Sequence, residues 1–310
     1  MTDSAITWPL HGVTPLTHLG VIQVEGEDAA KFIHGQLTQD FSLLGLDSAR
    51  LAAFCSAKGR MLASFIGFKR SSGAILLVCS RDLLPTTLKR LSMFVMRAKA
   101  HLSDASDAYA VYGLAGDATQ SIAVSAYSPW AKAEFDDISL LNLYPADSIP
   151  RQLWVAPATT AVPAGAPLSQ DLWAWGEVRS GVATLTTPLV EAFVPQMLNF
   201  ESIGGVNFKK GCYPGQEVVA RSQFRGTLKR RAFLVHCDAA LTPGDAIFVP
   251  SDAEQPVATV VQAAPAPSGG FDAIISGQVE AVTAGSLHAG SVDGVALLVQ
   301  PLPYALLEDI

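Results

Sequence analysis

Residues 208–217 read "FKKGCYPGQE", two lysines, one cysteine and two glycines within ten positions of a chain that is otherwise acidic and sparing of cysteine. Gly211 and Gly215 bracket the cysteine, and Pro214 disfavours helix at Tyr213, so Cys212 is expected on a turn leading into the helical pattern "QEVVARS". A thiol there faces the start of a helix. Free amides and the helix dipole, with the positive charge of Lys209 and Lys210, are expected to favour the thiolate form of a cysteine so placed. One reading is therefore a nucleophilic or redox-active thiol. The other is a small buried hydrophobe, the usual fate of a free cysteine, and spacing alone leaves both open. Glu217 and Arg221 stand four apart on the same helix, a spacing that pairs them on its surface.

Downstream, "ARSQFRGTLKRR" at residues 220–231 concentrates Arg221, Arg225, Lys229, Arg230 and Arg231, the strongest basic cluster in the chain. It reads either as an anion site for a polyglutamate tail, phosphate or RNA, or as a solvated connection whose guanidinium groups pair with carboxylates across a domain contact. Beyond Arg231 come short β-rich runs, "RAFLVHC", "DAIFVP", "ATVVQAA", "AIISGQVE" and "VALLVQPL", separated by Gly and Pro, which predict a small barrel. The tract "APAPSGG" inside this region reads as a hairpin loop.

Upstream, "LGVIQVEG" predicts a strand, followed by an amphipathic helix in "EDAAKFIHGQLTQ". "ARLAAFCSAKGRMLASFIGFKR" predicts a β-hairpin with Gly59 in its turn. "AILLVCS" is a further strand, residues 83–100 a helix with Pro85 near its start, and "AYAVYGLAG" another strand. Residues 121–167 read as irregular strands and loops, and "SQDLWAWGEVRSGVA" as a helix capped by Ser169 or Asp171 and ending at Gly181. "GLAGDA" lacks the third glycine and following helix of a dinucleotide fingerprint and reads as a turn.

With 310 residues, 49% hydrophobic and 16% charged, the chain is expected to form two or three domains. A formal charge of −7 excludes broad attraction to nucleic acid or anionic lipid. Four dispersed cysteines fit neither a disulfide framework nor a zinc knuckle, which points to a reducing cytoplasm. No secretory leader or membrane anchor is legible. Six scattered histidines give no metal-site spacing, and His236 beside Cys237 would point to the opposite strand face. Cys55, Cys79 and Cys237 lie in apolar runs and read as core.

Taken together, "FKKGCYPGQEVVARSQFRGTLKR" resembles the signature of the YgfZ family, K-G-C-Y-[TP]-G-Q-E followed by Ala-Arg and Arg-Gly. "FVPQMLNFESIGGVNF", "GEDAAKFIHGQLTQD" and "FCSAKGRMLASF" are similar to further stretches of that family. The resemblance implies an α+β fold like that of the folate-dependent aminomethyltransferases, interleaved α/β domains around a central channel followed by a small β-barrel. On that pattern the domains are expected at residues 1–115, 116–228 and 229–310. It implies a tetrahydrofolate ligand, a role in assembly or repair of iron-sulfur proteins, and a link to tRNA modification through an iron-sulfur methylthiotransferase. It further implies Cys212 as the functional thiol beside Lys210 and Glu217, with the folate contacted by Trp173, Gln196, Asn199, Tyr213, Gln216, Arg221 and Arg225. One thiol cannot hold a cubane cluster, so iron-sulfur contact is expected to be transient. Aminomethyltransferases carry Arg-x-Glu-x-Gly where this chain reads Glu177, Val178, Arg179, Ser180, Gly181, with acid and base exchanged. Trp173 and Trp175 serve either as ligand contacts or as core. The leading expectation is a folate-binding accessory protein; a one-carbon transferase is the alternative, and direct tRNA modification ranks last.

Overall fold

Two antiparallel sheets face one another and a closed barrel follows them; a computed structural model describes residues 10–120, 127–224 and 228–307. The first sheet has the order β3 (Ala49–Cys55), β4 (Met61–Lys69), β5 (Ile75–Ser80), β2 (Leu19–Glu25), β6 (His101–Asp104). Strand β5 is buried at every position, as its unbroken apolar run requires. Helix α1 (Ala29–His34) seats Ala29, Phe32 and Ile33 against this sheet.

Helix α2 (Leu84–Ser92) starts where Pro85 predicts but stops eight residues short of the expected end. The chain is pulled back there: Lys99 N donates to Asp28 Oδ2 at 2.8 Å and Lys99 O accepts from Asp28 N at 3.1 Å. That return lets β6 pair with β2, and it leaves Phe94 exposed instead of on a helical core stripe, with Met93 and Met96 exposed beside it. Tertiary pairing overrides the periodicity.

The second sheet has the order β1 (Gly12–Pro15), β7 (Tyr109–Ala115), β10 (Arg151–Pro157), β9 (Ile138–Asn142), β8 (Lys132–Phe135). Residues expected to be irregular thus supply three regular strands, because β10 is buried between two partners that satisfy its backbone. Residues 121–126 of that stretch lie outside the described residues. Strands β1 and β7 fall within the first 115 residues yet pair into the second sheet, so the two units interleave and a cut at residue 115 follows the chain and not the sheets.

Helix α3 (Gln170–Arg179) is capped by the Ser169 hydroxyl, which accepts from Leu172 N at 3.2 Å. Gly181 then takes φ +67, and a Cβ there would lie 2.8 Å from the Tyr304 ring. The barrel comprises β11 (Arg230–Cys237), β12 (Ala246–Phe248), β13 (Ala258–Pro265), β14 (Phe271–Gln278), β15 (Leu287–Ala289) and β16 (Ala296–Gln300). It closes because β11 pairs with both β14 and β16, leaving no open edge. Buried polar bonds fasten it to the rest: Trp175 Nε1 donates to Asp272 at 2.8 Å, and Arg231 pairs with Glu201 at 2.7 Å. Asn199, at φ +57, donates to Ala232 O at 2.9 Å and accepts from Ala232 N at 3.1 Å.

Candidate functional site

The loop of Cys212 precedes helix α4 (Gln216–Phe224) and is locked to the first sheet by close backbone packing. Gly215 has φ +79, and a Cβ on it would lie 2.4 Å from Ser56 O and 2.6 Å from Gly59 Cα. Gly59 in turn holds φ +70 in the β3–β4 turn, so two glycines far apart in sequence interlock where neither tolerates a side chain. Lys210 is the second fastening. Its Nζ donates to His34 O and, at 2.7 Å, to Leu37 O, carbonyls at the end of α1, and it sits 4.7 Å over the Tyr213 ring. Burial pushes its pKa down to about 8, against the opposing pull of Asp40 and Cys212. Close by, Thr38 Oγ1 donates to Gly205 O at 2.6 Å, and His34 Nδ1 meets Asp40 Oδ1 at 3.0 Å. The stretches around residues 34–40, 56–60 and 205–215 therefore meet in one place.

Within this assembly Cys212 is exposed, whereas Cys55, Cys79 and Cys237 are buried. Burial pushes the Cys55 and Cys79 thiols up to about 12, so they stay protonated and inert near neutral pH. Titration of the native protein with a thiol-specific disulfide reagent is expected to modify Cys212 rapidly and the other three cysteines only after denaturant is added. Rapid reaction of more than one thiol in the native state would contradict the burial seen here.

Elsewhere, the space between the two sheets and α3 holds a small central cavity of about 40 Å³, lined among others by Leu51, Phe65, Leu153, Trp173 and Glu177. That is room for roughly three waters. Arg151 is buried, and its guanidinium lies 4.3 Å from the centroid of the Trp173 ring. Gly113 packs against the same indole so tightly that a Cβ there would lie 2.6 Å from its carbons. Arg151 Nε and Trp173 Nε1 are buried without a hydrogen-bond partner of good geometry.

The Glu177 side chain is 15% exposed; its Oε2 accepts from Gln262 Nε2 at 3.3 Å and lies 3.8 Å from His18 Nε2, an ion-pair distance longer than a hydrogen bond. Burial acts to raise the Glu177 pKa, but His18, Arg151 and the Trp173 indole outweigh it and hold the carboxyl below its usual range. The same carboxylate raises His18. Ionised Glu177 thus faces the cavity, while buried Arg151 sits against the Trp173 ring that forms part of its wall.

The structure separates the residues that the sequence suggested as one site. Trp173 is on the central cavity, but Cys212 is not among the residues lining it. Lys210 and Tyr213 sit beneath the Cys212 loop, and Gln216 opens α4. Gln196 is fully buried and donates to Val219 O at 2.7 Å, while Asn199 is committed to the barrel backbone. Glu217 and Arg221 form an exposed pair at 3.0 Å, a contact worth about 0.5 kcal/mol at most. Arg225 lies outside the described residues. The exchanged acid and base also divide: Glu177 reaches the cavity, whereas Arg179 grips Asp147 at 2.7 Å. Sequence reasoning missed Arg151 and His18. A single arginine opening the apolar strand "RQLWVAP" was the one signal available for Arg151.

Comparison with known proteins follows the same lines. No protein-family model matches the chain. It is 31% identical over 229 residues to the tRNA-modifying protein YgfZ of Colwellia psychrerythraea, covering 71% of this chain and 70% of that one. The chain belongs to the YgfZ family. The protein of the same name from Yersinia pseudotuberculosis is 28% identical over 312 residues, covering 93% of this chain and 91% of that relative. An uncharacterized protein of Haemophilus influenzae is 31% identical over 220 residues, 71% of each chain. Among solved structures, the glycine cleavage system aminomethyltransferase T of Bartonella henselae superposes with a TM-score of 0.65 over 96% of this chain and 87% of that one, at 14% identity. This member of the YgfZ family thus has the aminomethyltransferase-like architecture, with the closed barrel at its C-terminal end. Among the described residues no helix is long and apolar enough to cross a membrane, and no group of three or more His, Cys, Asp or Glu is arranged to hold a metal ion.

Proposed function

We propose that this chain is a folate-binding accessory protein for the assembly or repair of iron-sulfur proteins, working in a reducing cytoplasm and affecting tRNA modification through such a client. The single observation that carries this reading is the exposure of Cys212 on a rigidly held loop away from the central cavity. A thiol placed there acts on something presented from outside, which suits contact with a client protein or its cluster better than chemistry on a molecule held between the sheets. Transient contact is all that one cysteine supports. The names of the relatives, tRNA-modifying protein, are consistent with such an indirect link.

The central cavity is the folate half of the proposal. Its lining fits a reduced pterin through Glu177, whose ionised carboxylate can accept from ring N–H groups, beside the Trp173 indole. When bound, tetrahydrofolate supplies a carrier nitrogen for one-carbon units. A ring of that size enters only as the cavity walls part, since about 40 Å³ does not accommodate it. The chain carries five tryptophans, so tetrahydrofolate is expected to quench intrinsic fluorescence saturably. Glu177→Gln should weaken that titration about tenfold, the scale of one charge-assisted hydrogen bond. An unchanged titration in Glu177→Gln would remove the cavity from the proposal.

A folate-dependent one-carbon transferase is the second reading, favoured by the presence of Glu177 on the cavity despite the exchanged motif. Multiple-turnover methylene transfer by the purified protein would decide for it. Shared architecture alone is a weak guide to chemistry.

A further inference from the structure

The basic run at residues 220–231 divides into paired and unpaired members. Arg221 is taken by Glu217 at 3.0 Å and Arg231 by the buried Glu201 at 2.7 Å. Lys229 and Arg230 form no ion pair among the described residues, and both line one cleft of about 780 Å³ between α4 and the barrel. Its other walls include Ser222 of α4, Met197 and Leu228. Glu280 lines the same cleft without pairing with either cation.

Arg230 is the telling residue. Its guanidinium is half-buried, and among the described residues it makes one long hydrogen bond, to Ser276 O at 3.4 Å. Desolvation holds its pKa below the usual arginine range, and among the described residues no carboxylate pairs with it. A partly desolvated guanidinium facing a cleft gains by taking up an anion. Lys229, adjacent in sequence and exposed, adds a second mobile positive charge at the same cleft. The volume falls within the roughly 300–1,000 Å³ of pockets that hold small molecules. The planar fork of Arg230 suits oxyanions, and Met197 and Leu228 give an apolar flank.

We propose that this cleft is a binding site for a flexible small-molecule polyanion, a chain of linked phosphates or of γ-linked glutamates, gripped by Arg230 and Lys229. It is separate from the central cavity and from Cys212, neither Trp173, Glu177 nor Cys212 being among its lining residues.

Two probes without a pterin distinguish the sources: inorganic tripolyphosphate and γ-linked triglutamate, each titrated calorimetrically into the full chain at low salt. Saturable binding of one of them is expected, weakening about tenfold in Arg230→Gln, a few-fold in Lys229→Gln, and falling steeply as salt is added. Arg230→Lys keeps the charge and should bind better than Arg230→Gln. Circular dichroism of each variant establishes that the fold is kept. Whichever probe binds names the anion. Failure of both to bind the wild type saturably, or equal binding by wild type and Arg230→Gln, overturns the proposal. Because neither probe involves a pterin or iron, that failure would leave the proposed function standing.

Discussion

Replacing Glu201 with alanine is expected to lower the unfolding free energy by about 3–5 kcal/mol, the scale of breaking a buried ion pair by removing one partner. The Glu201 side chain is fully buried and that of Arg231 is 8% exposed, with Arg231 Nη1 and Glu201 Oε1 at 2.7 Å. Burial raises the Glu201 pKa while Arg231 pulls it down. Deleting the carboxylate removes the buried counter-charge at 2.7 Å from the Arg231 guanidinium, which also donates to Leu307 O at 3.1 Å. The pair also joins the segment before the Cys212 loop to the first barrel strand, so its loss should loosen the barrel's attachment. Replacing both partners together, Glu201→Met with Arg231→Leu, should recover most of the loss, because a well-packed apolar pair costs no desolvation. Urea unfolding of the two variants tests this; a loss below about 1 kcal/mol for Glu201→Ala would show that the barrel is not held by this pair.

The fold was legible in proportion to how local its causes are. The β3–β4 hairpin follows from two apolar runs about "SAKG", and the barrel from short strands punctuated by Gly and Pro. Apolar residues at Leu84, Leu88, Leu91, Phe94 and Val95 carry helical spacing past the end of α2, while the contact that turns the chain back comes from Asp28, some seventy residues away. Strand β10 is hidden in the sequence because turn residues and an Ala-, Pro-, Ser- and Thr-rich setting surround its short apolar run, yet it is buried between two partner strands. The motif around Cys212 was the clearest signal in the chain, and the structure explains its composition: Gly215 is demanded by Gly59 and Ser56, Lys210 by the carbonyls that end α1. What spacing could not show is that Lys210 turns inward as a fastener, nor that Trp173 and Cys212 belong to different places. Those are distances between elements, and no periodicity encodes them.

Cys212→Ser is expected to fold like the wild type yet to lose rescue of iron-sulfur enzyme activity in cells lacking this protein. The stability half follows from exposure: a surface thiol replaced by a hydroxyl of nearly the same shape changes stability by about 0.5 kcal/mol or less. The functional half follows from chemistry, since a serine hydroxyl is neither a soft ligand for iron nor able to cycle through thiol oxidation states. Glu177→Gln in the same cells gives the complementary measurement. If both variants fail, cavity and thiol serve one function although they lie apart. If Glu177→Gln fails while Cys212→Ser rescues fully, the thiol is a bystander and the assembly role rests on the cavity alone. Lys210→Met separates position from reactivity, because it keeps the sulfur but removes the two carbonyl bonds that hold its loop against α1. Partial rescue by Lys210→Met, beside none by Cys212→Ser, would mark the sulfur itself as the acting group and Lys210 as the residue that positions it.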